Sequence, residues 1–189
     1  EMLRSLVGSE MCIRDRHSAL DPKAYRKAVA LLAESEFIDI FGVENSLTPA
    51  MDLFTKLGYL GLTCRLNTDA YLQQIGAGHL PHGAVAVAFS HSGSSADTVK
   101  ALRLAKSHGA KTIAITNAIG APLASWADVT LLTGRDSHTI YGNAIFSRVA
   151  DTALVDMLYM GVILSDYGRF STAVSYTHLR AHETPEHLV

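Results

Sequence analysis

Five short apolar runs that alternate with helical segments most constrain the fold of this chain. The runs are residues 37–43, 62–66, 83–89, 111–116 and 129–132. Helical apolar spacing or capping residues mark the segments 22–33, 47–57, 69–75, the stretch from Ser95 to His108, and 142–164. Strands that alternate with helices form a parallel sheet covered on both faces. The sequence therefore predicts an α/β fold, a three-layer α/β/α sandwich on a five-stranded parallel sheet of flavodoxin-like type.

Composition narrows the class of protein. A chain of 189 residues with 48% hydrophobic content is expected to bury one core rather than remain disordered. A net charge of −2 gives no electrostatic case for nucleic-acid binding by this chain itself. Cys12 and Cys64 make no disulfide framework, and no apolar stretch approaches the ~18 residues of a membrane span. We expect a cytoplasmic protein without a membrane partner.

The two ends differ from the middle of the chain. Residues 5–16 and 175–189 show no helical or strand period and resemble translated sequencing-adapter read-through, although ordinary loose termini are the alternative. We therefore expect a non-native leader at 1–17, one domain at 18–174, and a non-native tail at 175–189. The tail histidines are assigned to that artefact rather than to a metal site: His178, His182 and His187. Neither a metal nor a cofactor is expected.

A serine-rich turn directly follows the apolar run 83–89. Its residues are the candidate ligand-binding groups Ser90, His91, Ser92, Gly93, Ser94 and Ser95. A helix that begins after such a turn presents free backbone N–H groups and the positive end of its dipole. Hydroxyl donors beside those groups suit a phosphate or a similar anion, whereas a simple serine N-cap is the plainer alternative. The density of hydroxyls favours the anion site.

Ser46 is the second candidate, because it opens a helix after the first apolar run, 37–43. Parallel strands end at the same edge of a sheet, and ligands of such sheets bind beyond that edge. We therefore expect Ser46 and the serine turn to line one pocket.

These segments, taken in order, resemble the sugar isomerase (SIS) domain, and within it the sugar-sensing domain of RpiR-type bacterial regulators. The resemblance covers about residues 20–168. It rests on the segments 41–46, 88–95, 109–117, 122–129, and 147–148 through 156–159.

The resemblance implies binding of phosphorylated sugars, and it places the family's phosphate and sugar contacts on four serines. These are Ser46, Ser90, Ser92 and Ser95. The first loop of the family is usually Gly-x-Gly-x-Ser, and Glu44 here replaces the second glycine. A carboxylate beside a phosphate site repels the ligand unless it points away.

Isomerisation of a sugar phosphate requires a general base, commonly a carboxylate. The resemblance implies a glutamate or histidine near the start of the last long helix, but residues 137–150 contain no acid. Asp136 and Asp151 flank this gap, and His138 and Glu44 stay open as bases. No catalytic residue is assigned. We expect a phosphosugar-binding effector domain of an RpiR-type regulator that contacts DNA only through a missing N-terminal helix-turn-helix domain. A stand-alone sugar-phosphate isomerase is the alternative.

The predicted helix 142–164 carries apolar residues around most of its surface. Such a helix is either central to a core or part of a subunit interface. We expect the interface of a homodimer or a tetramer. A nucleotide-binding domain is disfavoured, because the chain holds neither a GxGxxG nor a Walker A pattern.

Overall fold

The computed structural model describes residues 20–134 and 149–171. The helices are α1 (Pro22–Glu34), α2 (Leu47–Tyr59), α3 (Ala70–Ala77), α4 (Ala96–Ser107) and α5 (Val149–Ser165). The strands are β1 (Ile38–Phe41), β2 (Cys64–Leu66), β3 (Val85–Phe89), β4 (Lys111–Thr116) and β5 (Val129–Leu132). Short 3₁₀ helices cover Glu44–Ser46 and Pro122–Trp126. The predicted strands and helices of the described ranges are thus present, most with ends shifted by one to three residues.

All five strands are parallel, and their order in the sheet is β2-β1-β3-β4-β5. This is the flavodoxin-like order, which confirms the predicted fold class. β1 and β3 are neighbours, and Phe41 at the end of β1 pairs with Ala88 in β3. The loops that follow these two strands therefore leave the same edge of the sheet side by side.

The alternation of side chains along the strands separates two cores. In β3, Val85, Val87 and Phe89 join a core of large aliphatic residues that also includes buried residues of α1, α2 and α5. Ala86 and Ala88 face the other way, into a core shared with α3 and α4. Small side chains on this second face let helices pack close to the sheet.

The helices α1 and α3 begin within one residue of their predicted starts, and each has an aspartate cap. Asp21 caps α1 by accepting a hydrogen bond from the Lys23 N–H at 2.9 Å, and Pro22 occupies the first turn. Asp69 caps α3 in the same way, through the N–H of Leu72. Each cap satisfies one N–H that the helix itself leaves unpaired.

The long helix α5 packs one face against α1 and α2. Gly161 allows this contact, because a Cβ there would lie 2.4 Å from the Tyr25 hydroxyl oxygen and 2.7 Å from Val29 Cγ2. The opposite face exposes three large apolar side chains, Met157, Met160 and Leu164. Residues 142–148 of the predicted helix, and both predicted non-native ends, lie outside the described residues. In the described part of the chain, no helix is long and apolar enough to cross a membrane.

Candidate functional site

The serine turn that joins β3 to α4 is fixed by hydrogen bonds to the neighbouring β4 segment. The Ser90 N–H donates to the Ile115 carbonyl at 3.1 Å. The His91 carbonyl accepts from the Asn117 N–H at 3.0 Å and from the Thr116 hydroxyl at 3.2 Å. These bonds set the path of the turn before any ligand binds.

Gly93 sits at the bend of this turn with a φ of +62°. A Cβ added there would lie 2.3 Å from the Ala121 Cβ and 2.8 Å from Thr116 Oγ1. Its carbonyl accepts a hydrogen bond from the Leu123 N–H at 2.9 Å. Both the left-handed backbone and the close approach of the next loop therefore require glycine.

The hydroxyls of the turn differ in exposure. Ser90 is buried at its base, whereas Ser92 and Ser94 are exposed. Ser92 Oγ accepts hydrogen bonds from the Ser94 N–H at 3.3 Å and the Ser94 hydroxyl at 3.0 Å. The two exposed hydroxyls therefore lie together at the surface.

Ser95 occupies the N-cap position of α4, but its side chain makes no capping hydrogen bond. Instead, Ser95 Oγ accepts a bond from the Thr98 hydroxyl at 3.3 Å. The first N–H groups of the twelve-residue helix α4 thus lack a side-chain cap, an arrangement suited to an incoming anion.

Ser46 ends the 3₁₀ turn Glu44–Ser46 and is the N-cap of α2, again without a capping bond from its side chain. The turn is closed by the Ser46 N–H, which donates to the Val43 carbonyl at 3.0 Å. Gly42 packs against it, because a Cβ on Gly42 would lie 3.0 Å from the Ser46 carbonyl oxygen. We call residues 42–46 the β1 loop.

Glu44 lies in this loop with a φ of +49°, and it is the one described non-glycine residue with a positive φ. Its side chain is exposed. A left-handed conformation costs such a residue about 1–2 kcal/mol, which a glycine would avoid. The positive φ of Glu44 is a conformation that glycine adopts without strain.

Burial alters the pKa of two titratable groups within the sheet, one in β2 and one in β1. It raises the pKa of the Cys64 thiol to about 12, so this thiol stays protonated and is a poor nucleophile. It also raises the pKa of Asp39, although a paired hydrogen bond from Arg65 opposes that change. Asp39 is only 1% exposed, and its partner Arg65, on β2, packs against Gly76 of α3.

Of the candidate bases, Glu44 alone lies in the β1 loop, and the others are not brought to the site by the described residues. Asp136 and His138 lie outside them, and Asp151 is buried on α5. The described ranges hold no group of three or more His, Cys, Asp or Glu side chains able to bind a metal. The tail histidines also lie outside those ranges.

Two polar residues that support the site were not singled out in the sequence. Thr116 fixes the His91 carbonyl and also accepts the Ala118 N–H at 3.2 Å. Gln73 donates from Nε2 to the Gly42 carbonyl at 2.8 Å and to the Asn67 carbonyl at 2.7 Å. In the sequence, the one sign of the role of Gln73 is that it shares a helical face with the small residues Gly76 and Ala77.

Comparison with known proteins supports one family. The SIS domain profile matches residues 31–161. An uncharacterised HTH-type transcriptional regulator of Caldanaerobacter subterraneus is 32% identical over 150 residues, which cover 79% of this chain and 53% of the relative. The HTH-type transcriptional regulator RpiR of Escherichia coli K12 is 26% identical, covering 79% of this chain and 51% of its own length. The chain thus spans about half the length of these curated relatives.

Among solved structures, the Vibrio vulnificus NanR protein complexed with ManNAc-6P is similar, with a TM-score of 0.83 and 25% identity. The match covers 93% of this chain and 67% of NanR.

Proposed function

Because the chain belongs to the SIS domain family, we propose that it binds a phosphorylated sugar between the serine turn and the β1 loop. One observation carries the proposal: two helix N-termini that begin at a serine and have no side-chain cap follow adjacent parallel strands. The ligand-binding residues proposed are Ser46, Ser90, His91, Ser92, Gly93, Ser94 and Ser95. The structure of NanR, a structural relative, holds it in complex with ManNAc-6P, a phosphorylated sugar.

In this proposal the serine turn holds the phosphate. The exposed hydroxyls of Ser92 and Ser94 and the first N–H groups of α4 supply donors to the phosphate oxygens. Gly93 keeps the turn free of a side chain at its bend. The β1 loop, with Ser46, faces the sugar.

The chain is homologous to the SIS portion of RpiR-type HTH regulators. We propose the same role here, in which the sugar phosphate is a signal and DNA is contacted by a helix-turn-helix domain outside this sequence. The greater length of the regulators supports this arrangement. An isomerase activity is the competing function.

Ligand-induced thermal stabilisation tests the binding proposal. The purified chain is heated with ManNAc-6P, other hexose phosphates, the matching unphosphorylated sugars, and inorganic phosphate. We expect at least one sugar phosphate to raise Tm by several degrees and the unphosphorylated sugars to have no effect. No shift with any sugar phosphate would contradict the proposal.

Ser92→Ala is expected to abolish the shift, because it removes a hydroxyl at the centre of the turn. Ser107→Ala, at the opposite end of α4, is the matched control and should retain the full shift. Incubation of the wild-type chain with the stabilising ligand, followed by sugar analysis, separates the two functions. An isomerised product would favour the enzyme over the sensor.

We also propose that α5 forms the interface of a homodimer, or one interface of a tetramer. Met157, Met160 and Leu164 are 37%, 49% and 69% exposed, and by helical spacing they lie on the side of α5 opposite its buried residues. A row of large exposed apolar side chains is typical of a subunit interface. Light scattering after size-exclusion chromatography should show an oligomer for the wild type and a monomer for Met160→Glu. A monomeric wild type would contradict the proposal.

A further inference from the structure

The short helix α3 contacts the β1 loop and the first turn of α4 through consecutive glutamines. Gln73 Nε2 donates to the carbonyls of Gly42 in the β1 loop and Asn67 after β2. Gln74 Nε2 donates to Asp97 Oδ1 at 3.2 Å. Asp97 lies in the first turn of α4, two residues after Ser95. Side chains of one helix therefore reach the β1 loop and the helix that carries the serine turn.

The sheet fixes the position of α3. A Cβ on Gly76 would lie 2.6 Å from Arg65 Nη2, so this part of the helix backbone rests directly on the guanidinium. Arg65 is held in turn by the buried carboxylate of Asp39. Gln73 lies one turn before Gly76 on the same face. The backbone that carries the Gln73 side chain is therefore held in place by the sheet.

Gln73 is 1% exposed, and its amide has one possible orientation. Two carbonyl oxygens face it, so the NH₂ group must point toward them. Oε1 is then left buried without a hydrogen-bond partner among the described residues. An unsatisfied buried oxygen costs stability that an apolar side chain of similar length would not. The benefit of Gln73 therefore lies in holding the β1 loop and the segment after β2 in fixed positions.

We propose that Gln73 is a positioning residue for sugar recognition. By holding the Gly42 carbonyl, it sets the place of the β1 loop and of Ser46, four residues further on. The serine turn has its own anchors on β4 and does not depend on Gln73. Gln73 therefore governs affinity for the sugar part of the ligand and leaves affinity for phosphate unchanged. This inference rests on the function proposed above.

Calorimetry on Gln73→Met tests it, because methionine has the same length and no hydrogen-bonding amide. We measure Kd for the stabilising sugar phosphate and for inorganic phosphate. Loss of the two bonds is expected to weaken sugar-phosphate binding about tenfold. Binding of inorganic phosphate should change less than about twofold. A purely structural role would weaken both affinities together.

Gln74→Met is the matched control on the neighbouring residue. It frees Asp97 on the side of the serine turn, so both affinities should shift by the same factor. If Gln73→Met changes the affinities for the sugar phosphate and for inorganic phosphate equally, or changes neither, the inference is overturned while the binding proposal stands. A wild-type chain that binds inorganic phosphate but no sugar phosphate would overturn both.

Hydrogen exchange on the wild-type chain gives a second measurement that needs no variant. Because Gln73 joins the β1 loop to α3, the sugar phosphate should slow exchange of amides in residues 70–77. Inorganic phosphate should protect the serine turn without protecting α3. Equal protection of α3 by both ligands, or none by the sugar phosphate, would overturn the role of Gln73.

Discussion

The serine turn and the β1 loop leave adjacent strands at one edge of the sheet, but they are held in different ways. The serine turn bonds to the next strand and its loop, through main-chain groups and Thr116. The β1 loop receives one side-chain amide from a residue 31 positions away. It also contains Glu44 in a left-handed conformation. The serine turn is therefore fixed by the neighbouring strand β4 and its loop, whereas the β1 loop is fixed by helix α3.

This contrast suits two parts of one ligand. A phosphate presents the same oxygens whatever sugar carries it, so a rigid, pre-formed turn suits it. Sugars differ in the positions of their hydroxyls, so selectivity between them belongs to the loop whose position a single side chain controls. Variants that disturb one loop without the other can separate these roles.

The largest effect is expected from Gly93→Ala in the serine turn. The new Cβ meets Ala121 and Thr116, and the φ of +62° adds left-handed strain. Overpacking and strain together should lower the free energy of unfolding by about 2–4 kcal/mol. Chemical denaturation measures this loss, and sugar-phosphate binding should disappear with it.

Gly83→Ala is the control for this variant. Gly83 has a similar φ of +79°, but nothing lies within 4 Å of an added Cβ. Its cost should be limited to about 1–2 kcal/mol of backbone strain. If Gly83→Ala and Gly93→Ala cost the same, the packing of the serine turn against the β4 loop has no energetic weight.

The serine turn was readily identified from the sequence because its determinants are local. Polar residues and a glycine directly follow an apolar strand, and the order of strands and helices predicts which edge they occupy. The parallel sheet followed from alternation alone. The strand alternation that separates the aliphatic core from the alanine-rich one is also visible in Val85–Phe89.

The hydrogen bonds that hold the β1 loop could not be predicted from local sequence. Gln73 appears in the sequence as one polar residue in a short helix, and nothing local indicates which carbonyls it reaches. Its partners Gly42 and Asn67 come from two other segments that only the folded sheet brings together. Likewise, the left-handed φ of Glu44 arises from the path of the turn rather than from the preference of glutamate.

Thr116→Val should produce the next largest effect. Valine keeps the shape of the threonine but removes the donor to the His91 carbonyl and the acceptor for the Ala118 N–H. We expect a loss of about 1–2 kcal/mol in unfolding free energy and weaker binding of inorganic phosphate. Thr130→Val on β5 is the control and should leave phosphate binding unchanged. Unchanged binding in Thr116→Val would show that main-chain bonds alone fix the turn.

Glu44→Gly is expected to stabilise the β1 loop slightly. Glycine relieves the left-handed strain, although it also gains freedom in the unfolded chain, so the net gain is about 0.5–1 kcal/mol. Glu44→Gln keeps the strain and removes the charge, which separates the two contributions. If the carboxylate repels the ligand phosphate, both variants should bind it more tightly. If neither does, Glu44 points away from the pocket.

The smallest effect tests a charge-based anchor far from both loops. Asp128 accepts hydrogen bonds from the Thr112 N–H and hydroxyl and pairs with Lys106 near the end of α4. Partial burial opposes ionisation of this carboxyl, but the Thr112 and Lys106 contacts outweigh it and lower the pKa of Asp128 below its usual value. In acid the unfolded chain therefore binds more protons at this carboxyl than the folded chain does.

The stabilisation by Asp128 is accordingly complete above the unfolded pKa and declines as the pH falls through the lowered folded value. At pH 6, Asp128→Asn should cost about 0.5 kcal/mol, and the difference from wild type should shrink toward pH 3. Denaturation at both pH values measures it. Phosphate binding at pH 6 should stay at the wild-type level, since the serine turn is anchored by uncharged groups. Loss of binding in Asp128→Asn would show that the turn depends on the far end of α4.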